Sequence, residues 1–178
     1  MTAVNLPFRD RRHAGRVLAT QLEQYRGRAG LRVLALPRGG VAVGFEVARE
    51  LRAPLDIFVV RKLGLPGHVE YAMGAIATGG VRVMNPLPGI TVKPEAIAAV
   101  VEREQAELVR REQFYRKQRP AAALRQQADA VICAATPEPF HSVGLWYQKF
   151  PQTTDDEVCA LLEQARLEHA IAARLCSP

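Results

Sequence analysis

The 178-residue sequence has few cysteines, few serines and no long hydrophobic run, and each shortage excludes a class of protein. Its three cysteines, Cys133, Cys159 and Cys176, are widely spaced and odd in number, which disfavours a disulfide framework or a zinc site. Ser142 and Ser177 are the only serines, and neither lies in the G-x-S-x-G motif of a hydrolase nucleophile elbow. No apolar run reaches the roughly 18–20 residues of a membrane helix, and no secretory signal is recognisable. We therefore expect a reduced, cytoplasmic protein that does not bind membranes.

Charge and composition are those of a globular protein with a basic surface. The net charge is +6, but the 18 acidic residues are interspersed among the 24 basic ones. A solvated basic surface is therefore favoured over a nucleic-acid site. The four histidines are too scattered for a metal-ligand pattern, and we expect no metal held by side chains. With 48% hydrophobic residues, residues 1–178 are predicted to form a single domain.

The order of apolar segments predicts an α/β fold. A strand over residues 31–36, a helix over 41–51 and a strand over 55–60 form a βαβ unit, which implies parallel strands. Phe45, Ala48 and Leu51 would face inward from that helix. The other predicted elements are a helix over 10–26 capped by Asp10, a hairpin of strands 72–77 and 81–84, a helix from Pro94 to about Lys117 with Ile97, Val101 and Leu108 on one side, a strand over 130–134, and a helix from about Thr154 to Leu175 capped by Thr153 or Thr154.

The first predicted strand leads into a turn that could bind an anion. Gly39 and Gly40 precede a helix, so backbone N–H groups there could point at an anion, and Arg38 could donate two hydrogen bonds to a phosphate. A tight strand-to-helix turn that only requires glycine is the alternative interpretation. The segment fits neither the dinucleotide motif G-x-G-x-x-G nor the Walker motif.

The second predicted strand also leads into polar residues. Arg61 and Lys62 follow it, and then come a Gly/Pro loop, Glu70 and Tyr71. Because ligands bind at the carboxyl ends of parallel strands, we expect these cations to converge with Arg38, although solvated surface charges remain an alternative. Trp146 could cover a base, but packing in the core is the commoner use of such an aromatic residue.

Four segments together carry a family resemblance: FRDRRHAG, LPRGGVAVGFEVA, VVRKLGLPGHVEYAMGAI and ATPEPFHSVGLWYQKF. They resemble the bacterial type I phosphoribosyltransferases, in this order and over nearly the whole chain. The resemblance implies a Rossmann-like parallel sheet flanked by helices. It also implies transfer of phosphoribosyl from phosphoribosyl pyrophosphate to a nitrogen nucleophile such as a nucleobase, with Mg²⁺ bound to the pyrophosphate.

The resemblance suggests roles for several of the residues already described. Arg38, Gly39 and Gly40 match the pyrophosphate-binding loop of the family, and Arg61 and Lys62 match a basic pair found in several members. Glu70, Tyr71 and Trp146 are candidates for the substrate side of the site. No catalytic residue is assigned, and a homo-oligomer is a further expectation.

One family motif has no match here. The family has a strand that ends in two acidic residues, followed by a T-G-x-T-type turn that binds the 5′-phosphate. Asp155-Asp156 reads instead as a helix start, and Thr78-Gly79-Gly80 as a hairpin. The motif would lie near residues 119–127, so the chain is predicted to be shortened by a central βα piece. An inactive relative that binds a phosphate ligand or RNA is therefore the alternative function.

Overall fold

The structure is a computed structural model that describes residues 6–116, 132–138 and 141–175. Contacts divide the chain into two compact units, the first formed by residues 1–57 and 128–178 and the second by residues 58–127. The single domain expected from the sequence stays a prediction. The shortened stretch near residues 119–127 and the aromatic Phe140 lie outside the described residues.

The described elements follow the predicted order, but the two parallel strands are shorter than predicted and the first strand of the predicted hairpin is longer. Residues 60–65, which the sequence suggested as a strand end and a loop, form an additional strand. In chain order they are α1 Arg11–Gln21, β1 Val33–Ala35, α2 Gly39–Leu51, β2 Leu55–Ile57, β3 Val60–Leu65, β4 His68–Ala77, β5 Val81–Met84, α3 Pro94–Arg116 and α4 Asp155–Leu175, with short 3₁₀ helices at Glu23–Tyr25 and Val143–Trp146. None of these described helices is both long enough and apolar enough to cross a bilayer.

The predicted βαβ motif is confirmed, and it lies in the first compact unit. Strands β1 and β2 pair in parallel, with Val33 opposite Leu55, and α2 forms the crossover between them. The predicted inward face of α2 is also correct, because Phe45, Ala48 and Leu51 are all buried. The α/β class is therefore confirmed.

Helices α1 and α4 begin where their capping residues predict. An Asp10 carboxylate oxygen accepts a hydrogen bond from the backbone N–H of His13 at 2.7 Å, and this bond holds the pKa of Asp10 below its usual value. The Thr154 hydroxyl accepts one from the backbone N–H of Glu157 at 3.1 Å. Helix α4 packs against α2 and β2. The predicted end of α1 at residue 26 is wrong, because the helix stops at Gln21 and a 3₁₀ turn follows.

Helices α1 and α2 lie side by side and run in the same direction. Gly15 contacts α2 at Val43, and a Cβ atom at Gly15 would lie 2.6 Å from the Val43 carbonyl oxygen. One turn later, Ala19 shares a buried cluster with Val47. Positions four residues apart on a helix share a face, so one face of α1 follows α2 in a fixed register.

The second unit is an antiparallel sheet covered by α3. Strand β4 pairs with both β3 and β5, and the predicted hairpin is confirmed, with Gly79 and Gly80 at φ of +82° and +78° in its turn. Helix α3 packs on β3 and β4. It buries Val100, Glu104 and Leu108, so of the three apolar residues predicted for this face only Leu108 is fully buried.

Two sequence expectations about strands are wrong. Arg61 and Lys62 lie inside β3 rather than after the end of a parallel strand, and the apolar run 55–60 is divided between β2 and β3. The run divides because Val59 bonds the hairpin: its N–H donates to the Thr78 hydroxyl at 2.9 Å, and its carbonyl accepts from the Thr78 N–H at 2.9 Å. Residues 132–134 of the predicted strand 130–134 do not form a strand, and the other two lie outside the described residues.

The contact at Gly15 makes a testable prediction. Gly15→Ala should lower the free energy of unfolding by about 1–3 kcal/mol, because the added methyl group meets a backbone carbonyl that cannot move independently of α2. Urea denaturation measures this change.

Gly40→Ala is the matched control, since its added Cβ meets only the Leu36 side chain, at 3.5 Å. Alanine favours a helix over glycine, so this variant should be as stable as the parent or more stable by up to about 1 kcal/mol. Equal stability of Gly15→Ala and the parent chain would contradict the close approach of the two helices.

Candidate functional site

The start of α2 has no side-chain cap. The helix begins at Gly39, so the two glycines form its first turn. The sequence suggested instead that they form a loop before the helix. Arg38, at the N-cap, is exposed and makes no side-chain cap, and the Pro37–Arg38 peptide bond is cis. The N–H groups of a first helical turn lack partners within the helix and lie at the positive end of the helix dipole. This turn is therefore suited to an anion.

Arg11 lies against this turn and was not predicted from the sequence. Its Nε atom is 2.9 Å from the position that a Cβ atom of Gly39 would occupy. Its Nη1 atom donates to the Pro151 carbonyl oxygen at 2.6 Å, and its Cζ atom is 3.8 Å from the centre of the Phe150 ring. No carboxylate pairs with it among the described residues. Arg11 therefore adds a fixed positive charge beside Gly39. A side chain at position 39 would displace the Arg11 guanidinium.

The aromatic segment near Trp146 supports Arg11. Phe8 forms an isolated parallel bridge with Tyr147, and the Phe8 N–H donates to the Trp146 carbonyl at 2.8 Å. The rings of Tyr147 and Phe150 are 4.9 Å apart, and burial raises the pKa of Tyr147 while the charge of Arg11 opposes that rise. Trp146 itself is half-buried, and its Nε1 atom is buried without a hydrogen-bond partner among the described residues.

Arg61, in the second unit, is bound to a carboxylate of its own unit. Its Nε and Nη2 atoms both donate to Oε2 of Glu104, the former at 2.9 Å. Burial alone would raise the pKa of Glu104, but hydrogen bonds from Arg61 and Arg103 outweigh it and lower the pKa. Much of the positive charge of Arg61 is therefore compensated within the second unit.

Lys62, Glu70 and Tyr71 come together near the tip of the β3–β4 hairpin. Lys62 Nζ donates to Glu70 Oε2 at 3.1 Å. Glu70 and Tyr71 line an open pocket of about 670 Å³ together with His68 and Ile90. Arg38 and Trp146 belong to the first unit, so the convergence of Arg38 with Arg61 and Lys62 stays a prediction.

The side chains that could hold a metal ion are dispersed. Within residues 6–116, 132–138 and 141–175, no three His, Cys, Asp or Glu side chains lie together as a metal site would require. The described part of the chain therefore does not offer a set of side-chain ligands for a metal ion.

No protein-family model matches the chain, but sequence comparison finds curated proteins that are similar to it. Two relatives from Mycobacterium tuberculosis, strains CDC 1551 and H37Rv, are described as "Putative phosphoribosyl transferase" and are each 37% identical to this chain. The match covers 94% of this chain and 49% of each relative, so the chain spans about half the length of the curated relatives it matches. The chain belongs to the phosphoribosyltransferase family.

A solved structure shares the fold. The crystal structure of TT1426 from Thermus thermophilus matches with a TM-score of 0.71 and 32% sequence identity. The match covers 88% of this chain and 98% of that one. A likeness of this extent includes both units of the present chain.

The sequence alignment also bears on the shortened region. It extends over 218 positions, whereas 94% of 178 residues is about 167 residues. About 50 aligned positions therefore have no counterpart in this chain. This total exceeds the roughly 30 residues of a βαβ-sized piece, so the chain is shorter than its relatives over the matched region.

The Arg61–Glu104 pair predicts a pH-dependent stability. Glu104→Gln should lower the free energy of unfolding at pH 7 by about 1–2 kcal/mol, since the charged hydrogen bonds to Arg61 are lost. The pKa of Glu104 is lower in the folded chain than its ordinary value of 4.5, so the charged pair stabilises fully above pH 4.5 and less as the pH falls below it. The difference between parent and variant, measured by urea denaturation, should therefore shrink between pH 7 and pH 3. A difference that is constant over this range would contradict the ion pair.

Proposed function

We propose that this chain is a phosphoribosyltransferase that binds the pyrophosphate group of phosphoribosyl pyrophosphate at the start of α2. The observation that carries the proposal is the uncapped first turn of α2, where Arg38 is exposed and Arg11 lies against Gly39. Family membership supports the donor, and the nitrogen nucleophile, such as a nucleobase, is part of the proposal.

The geometry of this turn suits a pyrophosphate. The amides of Gly39 and Gly40 lie at the positive end of the helix, and neither glycine has a side chain that would keep a phosphate away from them. Arg38 is free to fold over the ligand and to donate two hydrogen bonds from its planar guanidinium group. Arg11 is already held in place by Phe150 and Pro151, so little of its side-chain entropy is lost on binding.

The proposed reaction exchanges one bond at the anomeric carbon for another and releases a proton. The bond between the anomeric carbon of the ribose and the pyrophosphate oxygen breaks, and pyrophosphate leaves with the electron pair. The nitrogen nucleophile bonds to the same carbon and loses a proton to solvent. Donors at the start of α2 would stabilise the charge that grows on the leaving pyrophosphate, and Mg²⁺ bound to the pyrophosphate would share that charge.

A non-catalytic relative is the second candidate, and three observations favour it. About 50 aligned positions of the relatives are missing, and the sequence contains no motif for the 5′-phosphate. Arg61 and Lys62, which the sequence suggested for the pyrophosphate, both contact glutamates within their own unit. On this alternative the chain binds a phosphate ligand or RNA without transferring phosphoribosyl.

Calorimetry with Mg²⁺-pyrophosphate tests the binding step. Arg38→Ala should weaken binding at least tenfold, about 1.4 kcal/mol, because it removes the exposed guanidinium that donates two hydrogen bonds to the ligand. The matched control is Arg166→Ala, which removes the same charge from an exposed arginine on α4 that pairs with Glu163. Unchanged affinity of Arg38→Ala, or an equal loss in the control, would reject the start of α2 as the pyrophosphate site.

A turnover assay separates the two candidates. The full chain is mixed with Mg²⁺-phosphoribosyl pyrophosphate and a panel of nucleobases, and released pyrophosphate is measured. Base-dependent release that Arg38→Ala abolishes would support the transferase. Binding of the donor no tighter than that of pyrophosphate alone, with no release, would support the non-catalytic relative.

A further inference from the structure

The first unit contains a basic pocket at the opposite end of α2. It has a volume of about 270 Å³, and its lining includes Arg28, Arg32, Arg52 and His169, without a carboxylate. Arg52 follows the last residue of α2, whereas the proposed pyrophosphate site is at the first. A helix of 13 residues is about 20 Å long at 1.5 Å per residue, so the two places are too far apart to share one small ligand.

The arginines of this pocket have no carboxylate partner in the part of the chain that the structure describes. Among the described residues no carboxylate forms an ion pair with Arg28, Arg32 or Arg52. Nearby arginines of the same unit behave differently: Arg26 pairs with Glu23 at 2.9 Å, and Arg49 pairs with Glu46 at 2.6 Å. Carboxylates are therefore available in this part of the unit, and the pocket arginines are left without them. Three uncompensated arginines around one concavity create a strong local positive potential.

The backbone at Arg52 is a second, independent observation. Arg52 has φ of +56° and ψ of +40°, and it is the one described non-glycine residue with a positive φ. Glycine or asparagine is usual at such a helix end, because a larger side chain is strained in this conformation. Arg52 occupies this strained position and lines the pocket, which indicates that its side chain has a use there.

We propose that this pocket binds a small molecule carrying two or more phosphate groups. One phosphate is satisfied by one or two arginines, because each guanidinium can donate two parallel hydrogen bonds. Three arginines and a histidine around about 270 Å³ match a longer anion. The nearby C-terminal end of α2 disfavours an anion, so recognition rests on the side chains, and binding should weaken as salt is added.

The test uses inorganic tripolyphosphate as the probe and calorimetry as the measurement, with Arg38→Ala present in every protein to remove the site at the start of α2. We expect Arg28→Gln combined with Arg32→Gln to weaken tripolyphosphate binding at least tenfold. Arg26→Gln is the matched control, because Arg26 lies on the same segment but pairs with Glu23 and Glu50, and it should change the affinity less than twofold.

Arg52→Gly separates loss of charge from loss of fold. Glycine adopts a positive φ without cost, so this variant should raise the melting temperature while it weakens tripolyphosphate binding about tenfold. Orthophosphate should bind at least tenfold more weakly than tripolyphosphate.

Three results would overturn the proposal. The first is no tripolyphosphate binding in the Arg38→Ala protein, and the second is binding that the pocket substitutions leave unchanged. The third is a short RNA that binds more tightly than tripolyphosphate and depends on Arg28 and Arg32, which would assign the pocket to nucleic acid. None of these results depends on whether the start of α2 binds pyrophosphate.

Discussion

The Glu46 side chain on α2 is only 1% exposed, and arginines of both α1 and α2 surround its carboxylate. Arg12 and Arg16, one turn apart on α1, lie 3.3 and 3.5 Å from it, and Arg49 of α2 lies at 2.6 Å. A buried carboxylate is tolerated only where such partners compensate its lost hydration. Together with the contact of Gly15 at Val43, this ion cluster fixes the register in which α1 lies along α2.

That register determines what lies at the start of α2. Arg11 is four residues before Gly15, and Gly39 is four residues before Val43, so the face of α1 that is fixed in mid-helix also places Arg11 beside Gly39. The helix thus begins with open backbone donors and an arginine that a nearby aromatic ring and a carbonyl hold in place. The Gly15–Val43 contact is one helical turn from the proposed anion site, and the buried Glu46 carboxylate is about two turns from it along α2.

Much of this architecture could be predicted from local chemistry. Asp10 and Thr154 cap helices as their side chains suggest, and the βαβ unit and the Gly79-Gly80 hairpin are correct. The positions of Arg61 and Lys62 could not be predicted, because the division of the apolar run 55–60 depends on hydrogen bonds to the distant Thr78. Arg11 was missed for the same kind of reason, since its place follows from helix register, and the only signal was a glycine inside a predicted helix.

The central claim is that the first turn of α2 binds pyrophosphate, and a ¹H–¹⁵N NMR titration of the full chain with Mg²⁺-pyrophosphate tests it most directly. If pyrophosphate binds there, we expect the amide signals of Gly39 and Gly40 and the Nε–H signal of Arg11 to shift together, with one dissociation constant. The amides of Gly79 and Gly80, which lie in the hairpin turn of the second unit, should stay in place. Saturation of the protein without a shift at Gly39 and Gly40 would contradict the account.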